Sequence, residues 1–132
     1  MKMVLDSRFV IEYFYSDKTE TKQKATKKLK DLIQRKEGIL PTIVISETIQ
    51  TICEYIGKDE AEICYANLTE GGLKVQTLTS QIAKHAGLLR SKYRNIPMGD
   101  CIIAATAIAN QATILSDDPH FDIIQETKRS WI

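Results

Sequence analysis

The run Asp100-Cys-Ile-Ile-Ala-Ala-Thr-Ala-Ile-Ala109, followed by Ala112-Thr-Ile-Leu-Ser116, constrains the fold of this chain more than any other feature. At helical spacing the first segment is apolar nearly all round, and a helix without a polar face must be covered on most sides. The second segment is a short aliphatic run bounded by turn residues, as expected of a strand buried on both faces. A covered helix feeding a covered strand is the pattern of a parallel sheet flanked by helices.

The remainder of the chain fits that frame. Met3-Val4-Leu5 predicts a buried strand that delivers Asp6 at its end, and residues 7 to 15 predict a helix capped by Asp6 or Ser7. A second, lysine-rich helix over Glu20 to Lys36 carries a thin stripe of Ala25, Leu29, Leu32 and Ile33 and is expected to end at Gly38. Ile39-Leu40 predicts a second strand, and Pro41 the first turn of a helix from about Thr42 to Ile56. That helix is expected to bury Ile45, Ile49, Ile52, Cys53 and Ile56 and to expose Glu47, Gln50, Thr51 and Glu54. A helix over about Asp59 to Thr69, a strand over Leu73 to Leu78 and a helix capped by Thr79 or Ser80 and running to about Arg94 complete the series. The order predicts an α/β protein, a three-layer α/β/α sandwich with a central mainly parallel sheet, in a single domain over residues 1–132.

Composition removes several classes. Lys and Arg total 18 against 17 Asp and Glu, a net charge of +1, so the molecule as a whole is neither histone-like nor an acidic tail. Cys53, Cys64 and Cys101 have no CxxC spacing and apolar neighbours, which predicts buried free thiols rather than disulfides or a zinc ribbon. No apolar run approaches the roughly 18 residues of a membrane span, and no signal-peptide pattern opens the chain, so a cytoplasmic protein is expected.

In an open parallel sheet, ligands bind beyond the carboxyl ends of the strands. Four acids fall there: Asp6 after the first strand, Glu47 early in the helix after the second, Asp100 at the start of the apolar helix, and Asp118 after the last clear strand. From Asp100 the helix climbs about 1.5 Å per residue, and the strand beyond it returns at about 3.3 Å per residue, so Asp100 and Asp118 end at one edge. Each acid has a bland account, as a helix cap, a solvated face or a turn. Gathered together, they would repel one another, so their pKa values would rise or a hard divalent cation, Mg²⁺ or Mn²⁺, would be required. Such a site activates water against a phosphodiester.

The motifs Met3-Val-Leu-Asp6-Ser7, Ile45-Ser46-Glu47, Gly99-Asp100-Cys-Ile-Ile-Ala-Ala-Thr-Ala107 and Ile114-Leu-Ser-Asp-Asp118-Pro-His-Phe121 resemble those of PIN-domain proteins. The resemblance is to the compact kind that serves as the toxin of VapBC toxin-antitoxin pairs, and it covers nearly the whole chain. It implies a Mg²⁺- or Mn²⁺-dependent endoribonuclease with Asp6, Glu47, Asp100 and Asp118 as metal-binding and catalytic residues. It also implies Ser7, Ser116 and Asp117 as supporting neighbours, an antitoxin that covers the acidic groove, and commonly a homodimer. Arg8 stands where the family often has asparagine and is a candidate phosphate contact. His120, beside Asp118, is read as structural or exposed, and His85 has no assigned role.

Lys18, Lys22, Lys24, Lys27, Lys28, Lys30, Arg35 and Lys36 form one basic set, and Lys84, Arg90, Lys92 and Arg94 a looser second. Either is a candidate surface for RNA phosphates, and either is equally a solubilising face. No P-loop sequence is present. Arg8 occupies the position where a haloacid-dehalogenase-type phosphatase needs a second aspartate. The alternative to a nuclease is a non-catalytic PIN-like module for RNA processing or protein docking, and Mn²⁺ titration separates the two.

Overall fold

The computed structural model describes residues 1–132. Five short strands, β1 (Met3–Leu5), β2 (Gly38–Pro41), β3 (Lys74–Gln76), β4 (Thr113–Leu115) and β5 (Arg129–Ser130), form one sheet in the order β3-β2-β1-β4-β5. Every pairing is parallel. Seven helices connect them: α1 (Ser7–Tyr15), α2 (Thr19–Arg35), α3 (Thr42–Tyr55), α4 (Lys58–Glu70), α5 (Ser80–Lys92), α6 (Met98–Ala109) and α7 (His120–Ile123). The chain steps outward from β1 through β2 to β3, then crosses to the other side of β1. Right-handed crossovers therefore lay α1 to α4 on one face and α5 to α7 on the other.

The central strands are buried because both faces are covered. Val4, Leu5, Leu40, Ile114 and Leu115 are wholly inaccessible, and Phe9, Ile103, Phe121 and Ile124 close over them from the helices. The apolar helix α6 buries Cys101 and Ile103 to Ala107, and its small side chains permit close packing against the sheet and α5. Its one buried hydroxyl, on Thr106, donates to the carbonyl of Ile102 at 2.8 Å, so no polar group is left unpaired there.

Several expectations require correction. Helix α2 ends not at Gly38 but at Lys36, in the left-handed conformation (φ 56°), and Gly38 opens β2 instead. A Cβ on Gly38 would stand 2.6 Å from Leu73 Cδ2, which accounts for a glycine in this strand. Pro41 closes β2 and caps α3 rather than lying in its first turn. On α3 Val44, Thr48 and Ile52 are fully buried and Ile45 and Ile49 pack partly buried against the core, while Ile56 and Cys53 are exposed. Cys53 is thus not a buried thiol, unlike Cys64 and Cys101. The third strand is shorter than its alternating pattern, because at the sheet edge only Lys74–Gln76 finds partners on β2. The last two elements, α7 and β5, have no counterpart in the sequence pattern.

Candidate active site

The register of β1 with β4 builds the site. Leu5 pairs with Leu115, so Asp6 and Ser116 leave the sheet side by side. Asp6 caps α1, its Oδ1 accepting from the Ser7 backbone N–H at 2.8 Å. The Ser116 hydroxyl donates to Asp6 Oδ2 at 2.7 Å and accepts from the Asp118 backbone N–H at 3.0 Å. One buried hydroxyl thereby fixes the two aspartates relative to each other. Asp118 Oδ1 in turn accepts from the His120 backbone N–H at 2.9 Å, closing a tight turn over Pro119.

Asp100 enters from the opposite face. It is not the cap of α6, as its position at a helix start suggested, but lies in the first turn, with Pro97 at the capping position. Glu47 comes from α3 and is half-buried rather than solvated, because the start of α6 packs against it. Gly99 makes room for it: a Cβ there would stand 3.0 Å from Glu47 Oε2.

The electrostatics follow from this crowding. Burial raises the Asp6 carboxyl above its ordinary pKa, Ser116 and the Ser7 N–H pull it partly back, and the charges of Asp100 and Asp118 push it up again. Burial, then Asp6, then Asp100 lift Glu47 to about 7. Ser7 offsets part of that rise without forming a proper hydrogen bond to Oε1, which is buried and has no partner. Asp100 is raised chiefly by burial, with His120 opposing. Loss of water therefore outweighs mutual repulsion as the cause, although repulsion acts in the same direction.

Cations lie close by. Arg8 makes a two-pronged pair with Asp117, its Nε on Oδ1 and its Nη2 3.3 Å from Oδ2, and this contact holds Asp117 below the usual carboxylate range. Arg129 grips Asp122 through two contacts of 2.9 and 2.8 Å. Both feel the charge of Asp118, yet both are committed elsewhere. Two cations of α2 are directed differently: Lys28 and Arg35 line a hollow with Met1, Met3 and Glu37 at the amino edge of the sheet.

A buried carboxylate oxygen without a donor is costly unless a cation meets it. Glu47 Oε1 is such an atom, with Asp6 and Asp100 near enough to raise its pKa and Asp118 beside those two, a donor set that suits a hard divalent ion. One ligand atom from each of Asp100, Asp118 and His120 already lies within 4.8 Å of the others.

The sequence profile of the PIN domain matches residues 3–126. The chain belongs to the PIN-domain family. Several solved structures share its fold across nearly their whole length. A VapBC2 chain from Rickettsia felis, crystallised with a promoter DNA fragment, superposes with a TM-score of 0.81 at 17% identity, covering 99% of this chain and 98% of that one. A DNA-bound VapBC chain from Salmonella typhimurium gives 0.77 at 16%, covering 99% and 98%. The sarcin-ricin loop cleaving toxin VapC20 of Mycobacterium tuberculosis gives 0.72 at 16%, covering 94% and 95%. Among curated proteins none matches the chain.

Within this PIN domain, sequence reasoning passed over His120. Its Nδ1 stands 2.8 Å from Asp100 Oδ2 and 3.4 Å from Asp118 Oδ1, and Asp100 raises its pKa. The sequence signals only the Asx turn that brings the His120 backbone N–H to Asp118; the ring's contact with Asp100, twenty positions away, depends on tertiary packing. Arg129 could not have been found, because β5 leaves no readable pattern.

Proposed function

We propose that the chain is a metal-dependent endoribonuclease, a single PIN domain over residues 1–132 acting in the cytoplasm as the toxin of a toxin-antitoxin pair. The observation that supports this best is the half-buried Glu47 carboxylate, with its unpartnered Oε1, beside Asp6 and Asp100, which in turn adjoin Asp118. A scaffold has no use for acids that burial and repulsion both oppose.

Asp6, Glu47, Asp100 and Asp118 would hold a Mg²⁺ or Mn²⁺ ion. Once bound, the ion would neutralise charge on a phosphodiester and lower the pKa of an attacking water. Ser116 holds Asp6 and Asp118 in fixed relation, and Ser7 anchors Asp6 through its backbone N–H. Arg8, more than half exposed beside the acids, can exchange Asp117 for an RNA phosphate, which presents the same pair of acceptor oxygens. Arg8 and Asp117 line a cleft with Ser7, Ile11, Glu12 and Thr51 of about 270 Å³, a path by which a single strand could approach the site.

An antitoxin segment covering the acidic groove, and a homodimer, belong to the same reading. Support comes from family membership and from the VapBC neighbours, which are toxin-antitoxin complexes in their own right. The test is cleavage of a structured RNA by purified protein with Mn²⁺, with Mg²⁺ and with EDTA. Cleavage should require metal and disappear in Asp100→Asn at unchanged secondary structure. Full activity in that variant, or no metal binding by calorimetry, overturns the proposal.

A further inference from the structure

We propose that His120 Nδ1 is itself a metal ligand, which makes the centre a mixed nitrogen-oxygen site that prefers a first-row transition ion to Mg²⁺. The inference rests on the metal-site reading above and extends it to a residue outside the four carboxylates.

An octahedral ion with bonds of about 2.1 Å sets neighbouring donor atoms about 3.0 Å apart. His120 Nδ1 lies 2.8 Å from Asp100 Oδ2 and 3.4 Å from Asp118 Oδ1, on either side of that spacing. A histidine that only orients a carboxylate stands behind it, touching one acid from outside the site. His120 instead lies between two acids, Asp100 of α6 and Asp118 of the turn after β4, with one donor atom of each of the three within 4.8 Å of the others. Its placement is built in: Pro119 holds φ at −66°, and the His120 backbone N–H donates to Asp118 Oδ1 at 2.9 Å, so ring and carboxylate share one turn. As a ligand the ring would carry its hydrogen on Nε2, leaving the Nδ1 lone pair for the ion in place of the present contact with Asp100 Oδ2.

Mg²⁺ is served by oxygen donors, whereas an imidazole nitrogen raises affinity along the Mn²⁺ to Co²⁺ series. Calorimetric titrations of Mg²⁺, Mn²⁺ and Co²⁺ into the wild type and His120→Gln test this directly. The substitution should weaken Co²⁺ and Mn²⁺ binding by about tenfold or more and leave Mg²⁺ within about threefold. Electron-spin-echo spectra of the Mn²⁺-loaded wild type should show nitrogen modulation. That modulation should vanish in His120→Gln and persist in His85→Gln, which replaces the only other histidine. The His120 side chain is 41% exposed, so its replacement should leave the circular dichroism spectrum unchanged. Bound Mn²⁺ without nitrogen modulation, or an equal loss for all three ions in His120→Gln, overturns the inference while the carboxylate site stands. A wild type that binds none of the ions overturns both.

Discussion

The two edges of the sheet treat acidic side chains in opposite ways. At the amino edge Glu37 meets the Met1 ammonium at the surface, and Lys28, Asp31 and Arg35 surround a hollow open to water. At the carboxyl edge Asp6, Glu47 and Asp100 are withdrawn from water beside one another, while Arg8 turns to Asp117 and Arg129 to Asp122. Cations were near enough to compensate the buried acids and do not. One edge is arranged as protein surfaces usually are; the other holds charge at a cost to stability, which a bound cation would offset.

The largest expected effect is on chemistry. Asp100→Asn should lower RNA cleavage by on the order of 10²–10³-fold, as removal of one electrostatic group from an active site does. Its metal-free melting temperature should not fall, because a buried charge has been removed. A lower melting temperature would mean that Asp100 stabilises the fold and would erase the contrast.

Next comes the pH dependence carried by Glu47. The unfolded carboxyl titrates near 4.5 and the folded one near 7, so below 4.5 both states hold the proton and no difference arises. Between these values the unfolded chain ionises first and stability falls as pH rises; above 7 the full deficit remains. Glu47→Gln should therefore stabilise the protein in EDTA by about 1 to 2 kcal/mol at alkaline pH, allowing for solvent screening, with the gain fading toward acid. Urea denaturation of the two proteins across that range measures it. A gain that grows toward acid would reverse the sign and break the argument.

Ser116→Ala isolates the hydroxyl that links Asp6 to Asp118. Leaving the buried Asp6 Oδ2 and the Asp118 N–H unpaired should cost about 1 to 3 kcal/mol in urea denaturation. The smallest effect belongs to the amino edge, where Glu37→Gln should change stability by less than about 1 kcal/mol and not affect cleavage. If Glu37→Gln proves as costly as Ser116→Ala, the two edges do not differ as described.

Legibility in the sequence followed the range of the interactions involved. The strand at Met3–Leu5 and the helix at Ser7–Tyr15 were readable because three aliphatic residues before a carboxylate, and helical spacing after it, are local patterns. The positions of Asp100 and Asp118 at one edge followed from the rise of a helix against that of a strand, and that of Asp6 from its place at the end of the first strand. Glu47 was placed on the correct helix and on its polar face, but its half-burial was not readable there. It depends on the approach of α6, whose Gly99 lies against the carboxylate.

The sequence alone therefore determined the alternation of elements, the covered helix α6 and the gathering of acids at the strand ends, because each follows from spacing along a short segment. Tertiary structure alone decided the different fates of Asp117 and Asp118. Arg8 reaches Asp117 across 109 positions of chain, and the β1–β4 register places Ser116 against Asp6 across 110. The two-residue strand β5 and the turn of His120 toward Asp100 were settled in the same way. Contacts between distant segments depend on register and packing angle, and neither is written in any local run of residues.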